Sequence, residues 1–172
     1  DEKSEFLFSE GVPAYFLAWT TTPWTLPSNT ALCVGPNIDY VRVPSFNPYT
    51  GQPALYVAAE ALVGSLFNPK AAAVAFEDYK PGDKLVPYKV LDGKLKGSDL
   101  TGIRYEQLIP WFNPGEGAFK VIPGDYVTTE DGTGIVHIAP TFGADDANVA
   151  RAAGIPSLFM INKKGETRPM VD

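Results

Sequence analysis

The sequence predicts a mainly β fold with small helices, a closed or nearly closed β-barrel, on three observations. Sixteen prolines and sixteen glycines are scattered along 172 residues without a period, which breaks the chain into short strands joined by tight turns. Only two segments space their apolar residues as a helix does, and the remaining apolar runs are short and strand-like. A hydrophobic content of 45% is enough for one real core in a chain of this length. Many strands, few helices and short connections favour a sheet that closes on itself.

In chain order, Ala14 to Trp19 reads as a buried strand that opens into a threonine-rich turn, with Asn29 to Val34 as its partner or continuation. Tyr40 to Val43 and Ala54 to Ala58 are two strands joined by the turn Asn47-Pro48-Tyr49-Thr50-Gly51. Leu62, Val63, Leu66 and Phe67 fall at helical spacing, so Glu60 to Phe67 is a short helix covering one end of a sheet. From Ala71 to Pro110, strand-like pieces at Ala73 to Phe76 and Lys89 to Leu91 alternate with turn clusters at Pro81-Gly82-Asp83 and Asp92-Gly93. Ala118 to Ile122, Asp125 to Thr128 and Gly134 to Ile138 follow as strands, the last two joined across Glu130-Asp131-Gly132. Ala144 to Ala153 is a helix stopped by Gly154 and Pro156, and Leu158 to Ile161 returns as a strand. The turn from Asn162 to Glu166 starts a further hairpin that Asp172 cuts short, so residues 1–172 read as a single domain excised from a longer protein.

Composition narrows the function classes. No apolar run approaches the roughly 20 residues needed to span a bilayer, and the acidic start Asp1-Glu2-Lys3 is no signal peptide. One cysteine, Cys33 between Leu32 and Val34, makes no internal disulfide, reads as a buried thiol and suits a reducing cytoplasm. A net charge of −6 argues against a large phosphate-binding surface. Lys84, Lys89, Lys94 and Lys96 form a loose basic stretch that either meets a phosphate or is a solvated strand and turn.

The chemistry-bearing residues sit in two segments far apart. Trp19-Thr20-Thr21-Thr22-Pro23-Trp24-Thr25-Leu26-Pro27 is a hydroxyl-rich wall bounded by aromatics. Gly132-Thr133-Gly134-Ile135-Val136-His137-Ile138-Ala139-Pro140 carries the one histidine. Alternation sends Thr20 and Thr22 to one side, if the strand persists that far, and puts Ile135, His137 and Ala139 on one face of theirs. In the helix from Ala144, Asp146 shares a face with Val149, Ala150 and Ala153, whereas Asp145 lies with Asn148 and Arg151. An inward aspartate needs a cation or donors, and a bound ammonium group would serve. Plain structural roles stay open for each: helix-terminus acids, a satisfied core histidine, a threonine strand surface. One histidine and one cysteine make a metal site improbable. The chain lacks a Gly-x-Ser-x-Gly elbow, a Gly-x-Gly-x-x-Gly loop and a Gly-Lys-Thr phosphate loop.

Three blocks resemble one family closely, the editing domain (connective peptide 1) inserted in isoleucyl-tRNA synthetase. They are Trp19 to Asn29, Asp125-Tyr126-Val127 through Glu130 to His137, and Ala139-Pro140 through Phe142-Gly143-Ala144-Asp145-Asp146. The middle, roughly Pro44 to Gly117, matches only in layout. The sister valyl and leucyl enzymes look similar in fold but carry Arg-Pro after their threonines, where this chain has Thr22-Pro23-Trp24, and this favours the isoleucyl member. The resemblance implies the closed β-barrel of these editing domains. It also implies hydrolysis of valine misattached to the isoleucine tRNA, with valyl-adenylate as a second substrate when tRNA is bound. The need is physical: an apolar pocket loses only about 1–3 kcal/mol for one missing methylene, a limit for which the isoleucyl enzyme is itself the standard illustration.

By the same resemblance, Asp146 holds the substrate α-ammonium, and Thr20, Thr21 and Thr22 contact its polar atoms and the terminal adenosine. His137 lines the side-chain pocket and refuses isoleucine, while Trp24 and Asn29 shape the adenosine end. With no obvious general base present, water is positioned by the threonine segment and backbone groups from His137 to Ala139, assisted by a substrate ribose hydroxyl. The synthetase signatures His-x-Gly-His and Lys-Met-Ser-Lys-Ser are absent, so the chain is not expected to activate amino acids or charge tRNA itself; no cofactor and no metal are expected for it, the ATP site lying elsewhere in the parent. The expected partners are the tRNA(Ile) 3′ end carrying valine and the remainder of the synthetase chain, with no membrane, in a cytoplasmic monomer. The rival readings are a non-catalytic module that binds the aminoacylated 3′ end and a structural barrel without a ligand.

Overall fold

The longest ladder forms where the sequence alternates most regularly. In this computed structural model, which describes residues 4, 5, 7, 11–161 and 163–168, β3 (Asp39–Phe46) and β4 (Pro53–Ala59) pair antiparallel from Tyr40↔Ala59 to Phe46↔Pro53. Asn47 closes their turn, its Oδ1 accepting the Tyr49 and Thr50 N–H groups at 2.9 and 3.1 Å, the local bonding that makes Asn a turn former. β1 (Ala14–Phe16) runs parallel to β4, and β5 (Leu95–Lys96) antiparallel to β3, giving the order β1-β4-β3-β5.

A second sheet centres on β2 (Ala31–Val34), with β6 (Lys120–Pro123) parallel on one side and β7 (Ile135–Ile138) antiparallel on the other. All of β2 is buried because its two faces serve two cores. Leu32 and Val34 pack with Tyr40, Val57, Leu100 and Ile135. Ala31 and Cys33 pack with Ile122, Ile138 and Ala150, the last from α3 (Ala144–Ala152), the helix that covers this face. A third cluster, Val41, Val43, Val63, Ala71 and Tyr88, places α1 (Val63–Leu66) over the outer face of the β3–β4 hairpin. Each fully buried aliphatic side chain contributes about 1.5–3 kcal/mol.

The fold is mostly sheet with few helices, as predicted, but the barrel does not close; the four-stranded sheet is an open half-barrel. One seam is stitched. The Leu17 N–H donates to the Val57 carbonyl (3.0 Å) and the Trp19 N–H to the Ile135 carbonyl (3.3 Å), so the chain after β1 crosses from β4 to β7. The opposite seam stays open because β5 stops after two residues. There the Lys96 N–H donates to Asp99 Oδ2 (2.9 Å), and the chain turns into α2 (Gly97–Leu100). Gly97 must be glycine, since a Cβ there would overlap the Gly35 carbonyl.

Other expectations are corrected in the same way. β2 pairs with β6 and β7 rather than with the strand at Ala14. Asp125 to Thr128 is a turn and loop, since β6 has ended at Pro123 and the Gly124 N–H is taken by the Val34 carbonyl. Ala73 to Phe76 falls between two 3-10 turns, Pro69–Ala73 and Phe76–Asp78, the first capped by Asn68. Lys89 and Leu91 do lie along β3, donating to Pro44 and Arg42 carbonyls, without becoming a strand. β8 (Met160–Ile161) and β9 (Thr167–Arg168) form the expected last hairpin; Asn162, Asp172 and the first three residues lie outside the described residues. The lysine stretch is not one open patch: Lys94 pairs with Glu60 and Lys96 with Asp39, both at 2.6 Å. Among the described residues no helix is long and apolar enough to cross a membrane.

Candidate active site

The stitched seam opens into a cleft of about 500 Å³. One wall is Thr20, Thr21, Thr22, Trp24 and Thr25, and the floor runs from Gly132 to His137 and Ala139. Asp146, Phe142 and Tyr126 also line it. Of the residues singled out in the sequence, Thr20, Thr21, Thr22, Trp24, His137, Ala139 and Asp146 all line this space. Asn29 does not; it is buried behind His137.

Local chemistry shapes the threonine wall. Pro23 starts a 3-10 turn, Pro23–Ser28, which the sequence reading missed. The Thr22 N–H donates to Thr20 Oγ1 at 3.0 Å, and the two hydroxyls lie 3.3 Å apart on one side. Thr25, three residues on, donates its hydroxyl to the Thr22 carbonyl at 2.8 Å, a site residue beyond those that the sequence pattern singles out. A threonine at i+3 after a Thr-Pro step is the signal that would have found it. Gly134 shapes the floor: its φ is +74°, and a Cβ there would overlap Ala59.

His137 is 7% exposed and held at both ring nitrogens, Nε2 2.9 Å from Thr25 Oγ1 and Nδ1 2.8 Å from Asn29 Nδ2. The Ala31 carbonyl accepts from Asn29 Nδ2 at 2.9 Å, and since a carbonyl only accepts, this fixes which end of the amide is nitrogen. His137 Nδ1 therefore accepts, and Nε2 carries the proton and donates to Thr25 Oγ1, whose own hydroxyl donates to the Thr22 carbonyl. Burial holds the imidazole down at about 4, so it is neutral near pH 7. With both nitrogens engaged, it is poorly placed to act as a base.

Asp146 sits half-buried on the inward side of α3 while Asp145 is exposed. Its Oδ2 accepts the Ala139 N–H at 2.8 Å, so part of the partner it requires comes from the backbone. Burial raises its pKa, the Ala139 N–H pulls it down, and Asp145 pushes it up. A partly desolvated carboxylate lining the cleft favours a cationic ligand, because an ammonium would remove that penalty. Among the described residues no group of three His, Cys, Asp or Glu side chains is placed to hold a metal.

No protein-family model matches the chain. Among solved structures, the editing domain of the P. knowlesi cytosolic leucyl-tRNA synthetase aligns at a TM-score of 0.61 and 18% identity, over 89% of this chain and 57% of that one. The P. falciparum counterpart aligns at 0.56 and 19% identity, over 86% and 51%. The fold is therefore that of a synthetase editing domain. Sequence relatives go further. The isoleucine–tRNA ligase of Bacteroides fragilis is 75% identical over 162 residues, covering 94% of this chain. That of Porphyromonas gingivalis is 63% identical over 160 residues (92%), and that of Picrophilus torridus 42% over 151 (88%). The chain belongs to the isoleucine–tRNA ligase family and spans 14% of the length of the first of these relatives.

Proposed function

We propose that the cleft hydrolyses the ester that joins valine to the 3′ end of isoleucine tRNA, the editing reaction of an isoleucine–tRNA ligase, with valyl-adenylate as a second substrate. One observation carries this reading: the threonine hydroxyls come from a segment far in sequence from the one that carries His137 and Asp146, and all of them line one cleft. A volume of about 500 Å³ suits a small amino acid together with part of an adenosine. Asp146 takes the α-ammonium. The His137 ring, clamped by Thr25 and Asn29 and unable to swing away, bounds the side-chain space against isoleucine's extra methylene. Trp24, 60% exposed at the rim, offers a face for the adenine.

Water attacks the ester carbonyl, the carbon–oxygen bond to the ribose breaks, and the ribose oxygen takes up a proton, leaving valine and uncharged tRNA. Thr20, Thr21 and Thr22 hold the water and donate toward the developing oxyanion, with a neighbouring ribose hydroxyl assisting. Asn29 acts from behind, through His137. The reaction consumes only water, with no metal or cofactor, and belongs to a cytoplasmic, monomeric synthetase whose other parts supply the ATP site and most phosphate contacts. The test mixes the chain with valyl-tRNA(Ile) and follows ester loss. Hydrolysis abolished by Asp146→Ala supports the reading. Binding of the aminoacylated 3′ end without turnover makes the chain a binding module, and neither binding nor turnover makes it structural.

A further inference from the structure

Behind the cleft, the hydrogen bonds of His137 continue to a residue that does not line it. Tyr105 donates its phenol to Asn29 Oδ1 at 2.6 Å. The segment carrying it is clamped in place: the Tyr105 N–H donates to the Phe119 carbonyl (2.9 Å), the Phe119 N–H to the Thr30 carbonyl (2.7 Å), and the Ile103 carbonyl accepts from Val121 on β6. Phe119 holds φ +59°, alone among the non-glycine described residues in the left-handed region. Its ring meets the Tyr105 ring edge-on at 6.0 Å. A strained residue that joins Thr30 to Tyr105 is the kind retained where a side chain must be aimed.

We propose that Tyr105 is a positioning residue of the cleft: its phenol orients the Asn29 carboxamide and through it holds His137 in the tautomer that ties Thr25 to the threonine wall. This rests on the hydrolase reading above. A carboxamide has two orientations of nearly equal shape, and its surroundings choose between them. Here the Tyr105 hydroxyl supplies a proton to Oδ1, while the Ala31 carbonyl and His137 Nδ1 each take one from Nδ2. Turned over, the amide would set its oxygen against the Ala31 carbonyl and offer no donor to Nδ1. Desolvation raises the Tyr105 pKa, so the phenol remains a donor across the working range of pH. The chain of donors runs Tyr105, Asn29, His137, Thr25 and ends at the Thr22 carbonyl, which fixes the peptide from which the wall's hydroxyls project.

His137 is the sole histidine, so the 172-residue chain labelled with ¹⁵N-histidine and carrying no histidine tag reports it alone. In the unaltered chain Nε2 should be protonated and Nδ1 unprotonated at neutral pH. Tyr105→Phe should move Nδ1 toward its protonated position and lower kcat for the valine ester of adenosine roughly five- to tenfold, the cost of one neutral hydrogen bond, with KM within about twofold. Asn29→Asp, which cannot donate to Nδ1, should place the proton there outright. An Nδ1–H tautomer in the unaltered chain overturns the proposal. So does a Tyr105→Phe spectrum unchanged from the parent, or a changed spectrum with full turnover. If the unaltered chain leaves the ester intact, the hydrolase reading falls and Tyr105's part in turnover with it, while the spectra still decide the hydrogen-bond chain.

Discussion

The β3–β4 hairpin and the threonine wall with β7 are both half of a seam, yet they are held by different means. In the hairpin the backbone ladder does the joining, and Tyr40, Val41, Val43, Leu55 and Val57 bury apolar surface on both faces. Around the cleft, side chains do the joining. Among the described residues, the buried polar side chains of Thr25, Asn29, Thr133 and His137, which belong to the threonine wall, its continuation to β2, or the segment of β7, are each hydrogen-bonded. Buried polar groups cost stability unless each is paired, and they define a geometry when they are. The hairpin is thus a scaffold in which residues of similar shape are interchangeable, and the cleft is a network in which single atoms matter.

The sharpest break of that contrast is Asp146→Ala. Loss of this half-buried carboxylate, the proposed partner of the substrate ammonium, should cut kcat/KM for the valine ester roughly 10²–10³-fold, while the melting temperature falls by only the few degrees that the freed Ala139 N–H costs. In the hairpin, Leu55→Ala should do the opposite. Its fully buried side chain is worth about 2–5 kcal/mol when truncated, read by urea unfolding, while turnover per folded molecule stays at the parent value.

Acidification separates the regions a third way. His137 sits at about 4 in the fold against 6.5 when unperturbed. As pH falls through 6.5 the unfolded chain takes the proton first, so stability is full above 6.5 and is lost between 6.5 and about 4. The whole loss is on the order of 3 kcal/mol. Asp146, whose pKa is raised, has the opposite sign: its folded carboxyl protonates before the unfolded one and offsets part of the loss at the acid end. Urea midpoints at several pH values measure the slope, and His137→Gln should flatten it. Smaller still, Thr25→Val strands the His137 Nε2–H at a cost of about 1–3 kcal/mol, visible as faster exchange of that proton. At the hairpin turn, 95%-exposed Tyr49 should tolerate alanine within about 0.5 kcal/mol.

The same division decides what was legible in the sequence. The hairpin's strands, its Asn47 turn and the helix at Ala144 follow from periodicity and turn chemistry within a few residues, and the structure contains them all. What escaped is nonlocal or depends on competition between elements. Barrel closure fails at Lys96 and Asp99 because a helix cap there ends a strand, which alternation cannot foresee. The Thr25–His137 and Asn29–His137 bonds join residues 112 and 108 positions apart. Tyr105 lies in the segment where strand and turn signals mix, and only its contact with Asn29 sets it apart. The threonine motif announced hydroxyls but not the 3-10 turn that aims them.

The most direct measurement compares two esters of adenosine, one with valine and one with isoleucine, offered to the same protein at equal concentration. On the proposed reading the cleft should hydrolyse the valine ester and spare the isoleucine ester, because the clamped His137 ring would bound the side-chain space against the added methylene. Equal hydrolysis of both, or hydrolysis of neither, would contradict it.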